Sequence, residues 1–188
     1  MKGNQRIALT KRLLQEAIIR LLETKPIDKI SVTELCNESG INRATFYRHY
    51  NTPRDLLLEM EIEFAETINL TYNAAMIRDV SKCAEELCNY LYSNSKLLKI
   101  FIRNNSEEDL CVLLNGIFYS FIERNDFIDL SAVDEASLKL ISSYITGGGY
   151  FMMKQWLMED IQKDPKEVAD LILKFMNYTA SFLSQSIQ

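Results

Sequence analysis

The stretch that most constrains this chain runs from Ser31 to Asp55 and reads SVTELCNESGINRATFYRHYNTPRD. Ser31, with a glutamate three residues later, is typical of a helix N-terminus. Gly40 is the residue best able to end that helix in the left-handed conformation. Asn42 then begins a second short helix, and Thr52, followed by a proline and an acid, begins a third. Two short helices joined by a tight turn, with a third directly after them, predict a helix-turn-helix.

The second of these helices, predicted over residues 43–50, has two unlike faces. At about 100° per residue, Phe46 and Tyr50 point toward a core, whereas the opposite side carries cationic, hydroxyl-bearing and small side chains. These groups contain the donors that bind phosphate oxygens and base edges, and Ala44 is small enough for close approach to a groove. An ordinary amphipathic helix with a solvated face is the alternative, but the turn and both caps favour DNA binding.

These same residues resemble the TetR/AcrR family of transcriptional regulators over roughly the first third of the chain. The resemblance rests on the run INRATFYRHY, on apolar residues before it (Ile30, Val32 and Leu35) and on the pair Leu56–Leu57 after it. The segment TKPIDKISV is similar to a subgroup from Gram-positive bacteria that includes dihydroxyacetone kinase regulators. The family usually has a phosphate-gripping lysine where Pro53 stands here. That contact is therefore left to Arg54 or to the backbone N–H groups of the helix N-terminus.

The resemblance implies that the second short helix enters the major groove of double-stranded DNA. Arg43 and Thr45 would read bases or neighbouring phosphates, whereas Tyr47, His49 and Thr33 would hold the backbone. Arg48 would do either. The predicted DNA-binding residues are Thr33, Arg43, Ala44, Thr45, Tyr47, Arg48, His49 and Arg54.

The distribution of charge suits this interpretation better than the net charge of −5 does. Residues 1–55 carry ten lysine and arginine residues against six aspartate and glutamate residues, a net of +4, whereas residues 56–188 carry eleven against twenty, a net of −9. A basic head on an acidic body presents one end of the protein to phosphate. The first six residues are polar, so that a tail without fixed structure is favoured over an arm that reaches DNA.

Helical periodicity continues through the rest of the chain, without strand-type alternation. The fold class predicted is all-α, with a three-helix head joined by a long fourth helix to a C-terminal helical bundle. The predicted domains are a DNA-binding head over 1–52, with its helix-turn-helix at about 30–50, and a ligand-sensing and dimerisation body over 53–188. Helices are predicted at about 7–23, 53–77, 80–93, 95–103, 107–124, 134–159 and 165–186.

The last two predicted helices are unusually apolar for exposed elements. They pack either into their own chain's core or, as the resemblance implies, into a four-helix interface of a homodimer. A homodimer also suits DNA reading, because two-fold symmetry places two recognition helices about 34–36 Å apart. Gly147–Gly149 interrupts the first of these helices, and close packing explains it better than room for a ligand. The predicted interface residues are Tyr144, Trp156, Leu171, Phe175, Tyr178 and Phe182.

The resemblance also implies a pocket for an unknown small-molecule effector in the body. Few charged residues fall at the positions that would face this pocket, which favours an apolar or weakly polar molecule. The predicted lining is Phe64, Ile68, Tyr72, Tyr92, Phe101, Phe118, Tyr144 and Met152, with Cys88, Tyr119 and Phe121 as further candidates.

Several other classes of function have no support in the sequence. The only histidine, His49, lies on the predicted DNA face, so no catalytic set is present and the chain is predicted not to be an enzyme. No cofactor or metal is expected, since the cysteines lack metal-ligand spacing, and reduced thiols suit a cytoplasmic protein. No apolar run is long enough to span a membrane. The sequence predicts a ligand-responsive repressor that binds a palindromic operator as a homodimer. The alternative is a coactivator or accessory regulator of the same fold that works through a partner protein.

Overall fold

A computed structural model of the chain describes residues 2–75, 79–104 and 134–186. Within these ranges the protein is helical and contains no strand, which confirms the predicted all-α fold. A short 3₁₀ turn follows the first helix, at Ile27–Lys29. The helices are α1 (Lys2–Leu22), α2 (Val32–Ser39), α3 (Arg43–Phe46), α4 (Pro53–Ala75), α5 (Val80–Ser93), α6 (Ser95–Asn104), α7 (Glu135–Met158) and α8 (Pro165–Ser186).

Most predicted helix boundaries agree with these bounds to within two residues. One difference is at the N-terminus, where α1 begins at Lys2, so the prediction of a tail without fixed structure is wrong. A second difference is α3, which was predicted to reach Tyr50 but ends at Phe46. In the residues after α3, some backbone hydrogen bonds join positions three apart, as in a 3₁₀ turn; the His49 N–H, for example, donates to the Phe46 carbonyl at 2.9 Å. The helix predicted at 107–124 lies outside the described residues.

The chain divides into two compact units. The first, called the head unit, comprises residues 1–64 together with Ile100–Asn104 at the end of α6. The second, called the body unit, comprises residues 65–99 and 105–188. The head unit thus extends past the predicted boundary at residue 52 and includes the first part of α4.

The head unit is built around one apolar core. The stripe of α1 contributes buried side chains at one-turn spacing, and α2, α3 and the start of α4 close the core from the other sides. The fully or nearly fully buried side chains include Leu14, Ala17, Ile18, Leu22, Leu35, Cys36, Phe46, Tyr50, Leu56 and Leu57. Because α2 and α3 are too short to be stable alone, this shared core is what fixes their orientation.

Local caps set where the head helices begin and end. The Ser31 hydroxyl accepts a hydrogen bond from the Glu34 N–H at 3.2 Å, and Gly40 ends α2 with φ at 69°. Thr52 and Asp55 form a reciprocal cap at the start of α4: the Asp55 N–H donates to the Thr52 hydroxyl at 3.2 Å, and the Asp55 carboxylate accepts from the Thr52 N–H at 3.0 Å. These bonds satisfy backbone donors that a helix start otherwise leaves unpaired.

The core of the body unit lies between α5, α7 and α8. α5 packs along α8, and α8 also packs against α7. Both α5 and α8 present an apolar stripe to this core, as expected of amphipathic helices. The buried side chains here include Cys83, Leu87, Cys88, Leu91, Ile145, Tyr150, Met153, Trp156, Val168, Ile172 and Met176.

Candidate nucleic-acid interface

The surface predicted to contact DNA consists mainly of α3 and the turn after it. Asn42 caps α3 by accepting the Ala44 N–H at 2.8 Å. Phe46 and Tyr50 are buried, whereas the predicted contact residues face away from the core. Among these, Thr45 and His49 are half-buried, and the exposed ones are Thr33, Arg43, Ala44, Tyr47 and Arg48. All seven are therefore at least partly accessible to solvent on the head unit.

The cationic side chains on this surface are held close to the helix. The Arg43 guanidinium carbon lies 6.0 Å from the centroid of the Tyr47 ring, within the range of a cation–π contact. Arg48 donates to the Ala44 carbonyl at 3.4 Å and to the Thr45 hydroxyl at 3.5 Å. Bonds of that length are weak. Arg48 is therefore available for a stronger acceptor such as a phosphate oxygen.

The buried side of α3 is anchored by aromatic packing. The Phe46 ring meets the Tyr47 ring edge-on at 5.6 Å and lies 5.8 Å from the Tyr50 ring. Such pairs add about 0.5–1.5 kcal/mol beyond the area they bury. Phe46 thus anchors the end of α3, and Tyr50 anchors the turn after it, in the core of the head unit.

A polar network ties the end of this segment to α1 and α4. The Tyr50 hydroxyl donates to one carboxylate oxygen of Glu59, and the Lys11 ammonium donates to the other at 2.5 Å. Burial alone would raise the pKa of Glu59, but the hydrogen bonds from Lys11 and Tyr50 outweigh it and leave that pKa below its usual value. The pKa of Tyr50 is raised, first by burial and then by its bond to Glu59. A tyrosine at a core position, which needs a partner for its hydroxyl, is the one sequence signal that pointed to this network.

Arg54, which is predicted to contact phosphate, has partners inside the head unit. Its guanidinium donates to the Asp28 carboxylate at 3.1 Å and to the Asn104 carbonyl at 3.4 Å. Asn104 also accepts the Ile27 N–H at 2.9 Å through its side chain. Arg54 therefore joins the segment before α2 to the ends of α4 and α6 inside the head unit, and this engagement competes with binding phosphate.

The residues predicted to line an effector pocket do not share one environment. In the head unit, Phe64 and Phe101 are buried with their rings edge-on at 5.8 Å. In the body unit, Ile68 and Cys88 are buried and Met152 is half-buried. Two predictions need correction, because Tyr92 and Tyr144 are 52% and 73% exposed and so do not line an enclosed cavity. The side chains of Tyr72, Phe118, Tyr119 and Phe121 lie outside the described residues.

The described part of the body unit contains a cavity at a different place. It lies between α5 and α8, has a volume of about 440 Å³, and shares no residue with the predicted pocket. All of its lining residues except Leu173 carry a polar or charged group: Ser81, Asp170, Leu173, Lys174, Asn177 and Tyr178. The structure therefore does not identify the predicted apolar pocket among these residues.

Four of the predicted interface residues are exposed on α7 and α8: Tyr144, Leu171, Phe175 and Tyr178. The prediction that Trp156 lies at the interface needs correction, because this side chain is 3% exposed and packs within its own chain. Its ring stacks on Tyr92 at 5.4 Å, and its indole N–H donates to the Lys163 carbonyl at 3.2 Å. The side chain of Phe182 lies outside the described residues.

The described residues contain neither a candidate metal site nor a candidate membrane span. No cluster of three side chains able to ligate a metal occurs there, and no described helix combines the length and apolarity needed to cross a membrane. The side chains of Cys36, Cys83 and Cys88 are buried. Burial raises the pKa of Cys88 to about 12, which keeps it in the unreactive thiol form.

Two family models match the chain. One, described as bacterial regulatory proteins of the tetR family, matches residues 14–60 and so covers the helix-turn-helix. The other, described as a transcriptional regulator C-terminal region, matches residues 78–178, more than half of the 188 residues. No curated protein sequence matches the chain.

Solved structures share the fold at low sequence identity. The dihydroxyacetone kinase operon activator DhaS is 17% identical, with a TM-score of 0.62 over 92% of this chain and 97% of that one. The fatty acid degradation regulator FadR from Bacillus halodurans is 17% identical, with a TM-score of 0.64 over 89% and 94%. A transcriptional regulator from Aquifex aeolicus VF5 is 16% identical, with a TM-score of 0.61 over 90% and 98%.

Proposed function

The chain belongs to the TetR family of bacterial transcriptional regulators, and we propose that it is a cytoplasmic, ligand-responsive repressor that binds a palindromic operator as a homodimer. The observation that carries this proposal is the exposed face of α3 and the turn after it. This face has two arginines, a tyrosine and a threonine beside the buried Phe46 ring, and these are donors that DNA recognition requires.

We assign different tasks to the side chains of this face. Arg43 and Thr45, in α3 itself, read base edges or the phosphates beside them. Tyr47 and His49, in the turn after α3, together with Thr33 hold the phosphate backbone, and Arg48 does either. Ala44 leaves room for the helix to approach the groove floor. Phosphate contacts of this kind fix the register, whereas base contacts supply the sequence preference.

Separate arginine variants test the assignment. Arg43→Ala is expected to relax the preference at one base pair of each half-site, at a cost of about 1–3 kcal/mol in binding free energy. A uniform loss of affinity across all sequences would instead make Arg43 a phosphate contact. Gel-shift titrations of operator and scrambled DNA, at several salt concentrations, separate the two outcomes.

The homodimer is supported by the exposed apolar side chains of α7 and α8. Tyr144, Phe175 and Tyr178 are each more than half exposed, and exposed apolar groups that form a patch mark an interaction surface. A second copy that covers them would also supply the second recognition helix that a palindrome needs. Sedimentation equilibrium of the purified protein tests the homodimer directly, and a monomer at micromolar concentration would contradict it.

The effector acts, in this proposal, by changing how the two heads of the dimer are spaced. A ligand that binds one arrangement of the body more tightly shifts the population toward it, and operator affinity falls by the same coupling factor. If a compound binds tightly and leaves operator affinity unchanged, this part of the proposal fails.

The alternative function keeps the fold and changes the task to that of a coactivator or accessory regulator. A protein that shares this fold is named as an operon activator, so the fold by itself does not choose between repression and activation. A gel shift with the purified protein alone discriminates the two. The proposed repressor retards specific DNA unaided, whereas an accessory protein needs its partner.

A further inference from the structure

The basic side chains of the head unit fall into two groups, those that have an acid beside them and those that do not. Members of the first group each lie within 3.6 Å of a carboxylate oxygen: Lys11, Arg12, Arg20, Lys25 and Arg54. Members of the second group are exposed and form no ion pair within the described residues: Arg6, Lys29, Arg43, Arg48 and Arg103. Lys29 is the one of these that no prediction from sequence assigned to DNA binding.

The backbone of Lys29 is held in place although its side chain is exposed. Lys29 ends the 3₁₀ turn that precedes α2, and its N–H donates to the Pro26 carbonyl at 3.0 Å. Ile27 of the same turn is buried, and its N–H donates to the Asn104 side chain at 2.9 Å. The turn is therefore a fixed base for a flexible cationic side chain.

This turn lies beside the first turns of two helices of the head unit. Lys29 is two residues before Ser31, which caps α2, and four residues before Thr33, which we assign to the DNA backbone. From the first turn of α4, the Arg54 guanidinium reaches Asp28 at 3.1 Å. The four-carbon stem of lysine lets the Lys29 ammonium move over the corner that these segments form.

The nearby acids have donors of their own. Asp28 accepts from Arg54, and Glu34 accepts from Lys25. The Asp55 carboxylate accepts the Asn51 N–H at 2.9 Å and the Thr52 N–H at 3.0 Å, at the start of its own helix. Among the described groups at this corner, the Lys29 ammonium is thus the charge that is left for an anion from outside the chain.

We infer that Lys29 binds a phosphate of the DNA backbone, next to the phosphate held by Thr33. This inference rests on the proposed DNA binding and adds a contact to it. An ammonium group is a compact charge with three donors, so it binds phosphate without reading the adjacent base. Lys29 thereby makes the contact predicted for Arg54, whose guanidinium has partners inside the head unit.

The salt dependence of DNA binding tests this contact. Each phosphate that the protein neutralises releases counterions, so Lys29→Gln should make the slope of log affinity against log salt shallower by about 0.9 for each bound subunit. The affinity at 0.1 M salt should fall about eightfold for each subunit. Operator and scrambled DNA should lose affinity alike, because a phosphate contact carries no sequence information. Lys29→Arg should retain the slope.

A matched control is Lys25→Gln, which removes the same charge four residues earlier in the chain. Lys25 is paired with Glu34, so its loss should leave the slope unchanged. Because both variants change the net charge equally, the comparison separates a local contact from general attraction to DNA. Hydrogen exchange of the α1 and α2 amides should be the same in Lys29→Gln as in the unsubstituted protein, since the Lys29 side chain supports no packing.

Neutral methylphosphonate groups, placed one at a time in the operator, identify the phosphate. One such position is expected to weaken the unsubstituted protein and to have no further effect on Lys29→Gln, since the contact has already been lost. Every position that weakens the unsubstituted protein should also weaken Lys25→Gln.

The outcomes distinguish this inference from the proposed function. If the unsubstituted protein retards no DNA, the proposed function fails and the contact fails with it. If DNA is bound but Lys29→Gln keeps the original slope, or if no methylphosphonate position is silent in Lys29→Gln alone, Lys29 is an ordinary solvated lysine and only the contact is refuted. A shallower slope in Lys29→Gln but not in Lys25→Gln, with one silent phosphate, supports it.

Discussion

Replacing Tyr50 by phenylalanine tests whether the hydrogen bonds among Tyr50, Glu59 and Lys11 stabilise α3 and the turn after it. The substitution keeps the ring, which packs 5.8 Å from Phe46, and removes only the hydroxyl that donates to Glu59. A matched control is Tyr47→Phe, which makes the same chemical change on a ring that is 50% exposed. The two variants thus separate support of the fold from contact with DNA.

The expected loss follows from the environment of the bond. A hydrogen bond to a charged group contributes about 1.5–3 kcal/mol. The Glu59 side chain remains 32% exposed and keeps its ion pair with Lys11, so the substitution does not leave a buried, unpaired charge. The loss should therefore lie at the lower end, about 1–2 kcal/mol in the free energy of opening the head unit, or a factor of about 5–30 in its opening equilibrium.

Hydrogen exchange measured by mass spectrometry gives this free energy for each part of the chain. In Tyr50→Phe, amides of α1, α2 and α3 should exchange about 5–30 times faster, and those of the body unit should not change. Tyr47→Phe should leave all of these rates unchanged and weaken only DNA binding. If Tyr50→Phe leaves the head amides unchanged, or if both variants destabilise them equally, the account of the network is wrong.

Three further predictions concern the same unit. Thr52→Ala should lower stability by about 1 kcal/mol through loss of the α4 cap, seen as faster exchange at the start of α4, whereas Thr52→Ser should not. The folded pKa of Glu59 lies below its ordinary value, so the stability it contributes is complete above about pH 4.3 and is lost as the pH falls below that. Glu59→Gln should flatten this acid-side loss in urea titrations. Arg54→Ala should leave the salt dependence of operator binding unchanged. A slope that falls by about one in Arg48→Ala would assign Arg48 to a phosphate, and an unchanged slope would assign it to a base.

The head was predictable from sequence because its signals are local. Each cap involves residues two to five positions apart, such as Thr52 with Asp55, and helix periodicity repeats every few residues. A glycine that ends a helix likewise needs no knowledge of distant contacts. These signals place the helices, and a shared apolar stripe then leaves few ways to pack them.

The side-chain partnerships were not predictable, because they join residues far apart in the chain. Glu59 bonds to Lys11, 48 positions away, and Arg54 bonds to the Asn104 carbonyl, 50 positions away. Nor does helical periodicity distinguish a ring that faces its own core from one that faces a neighbour. Trp156 was thus predicted at the dimer interface, and Tyr92 in a pocket, although the two stack on each other within one chain.

A homodimer that reads DNA with α3 and the turn after it presents that surface twice. Selection of binding sites from random DNA with the purified protein should therefore enrich a palindrome whose half-sites are centred about 34–36 Å apart. The preference at one symmetric pair of positions should be lost in Arg43→Ala. Enrichment of a single asymmetric site, or of the same palindrome by a variant that lacks the Tyr47 and Arg48 side chains, would contradict this expectation.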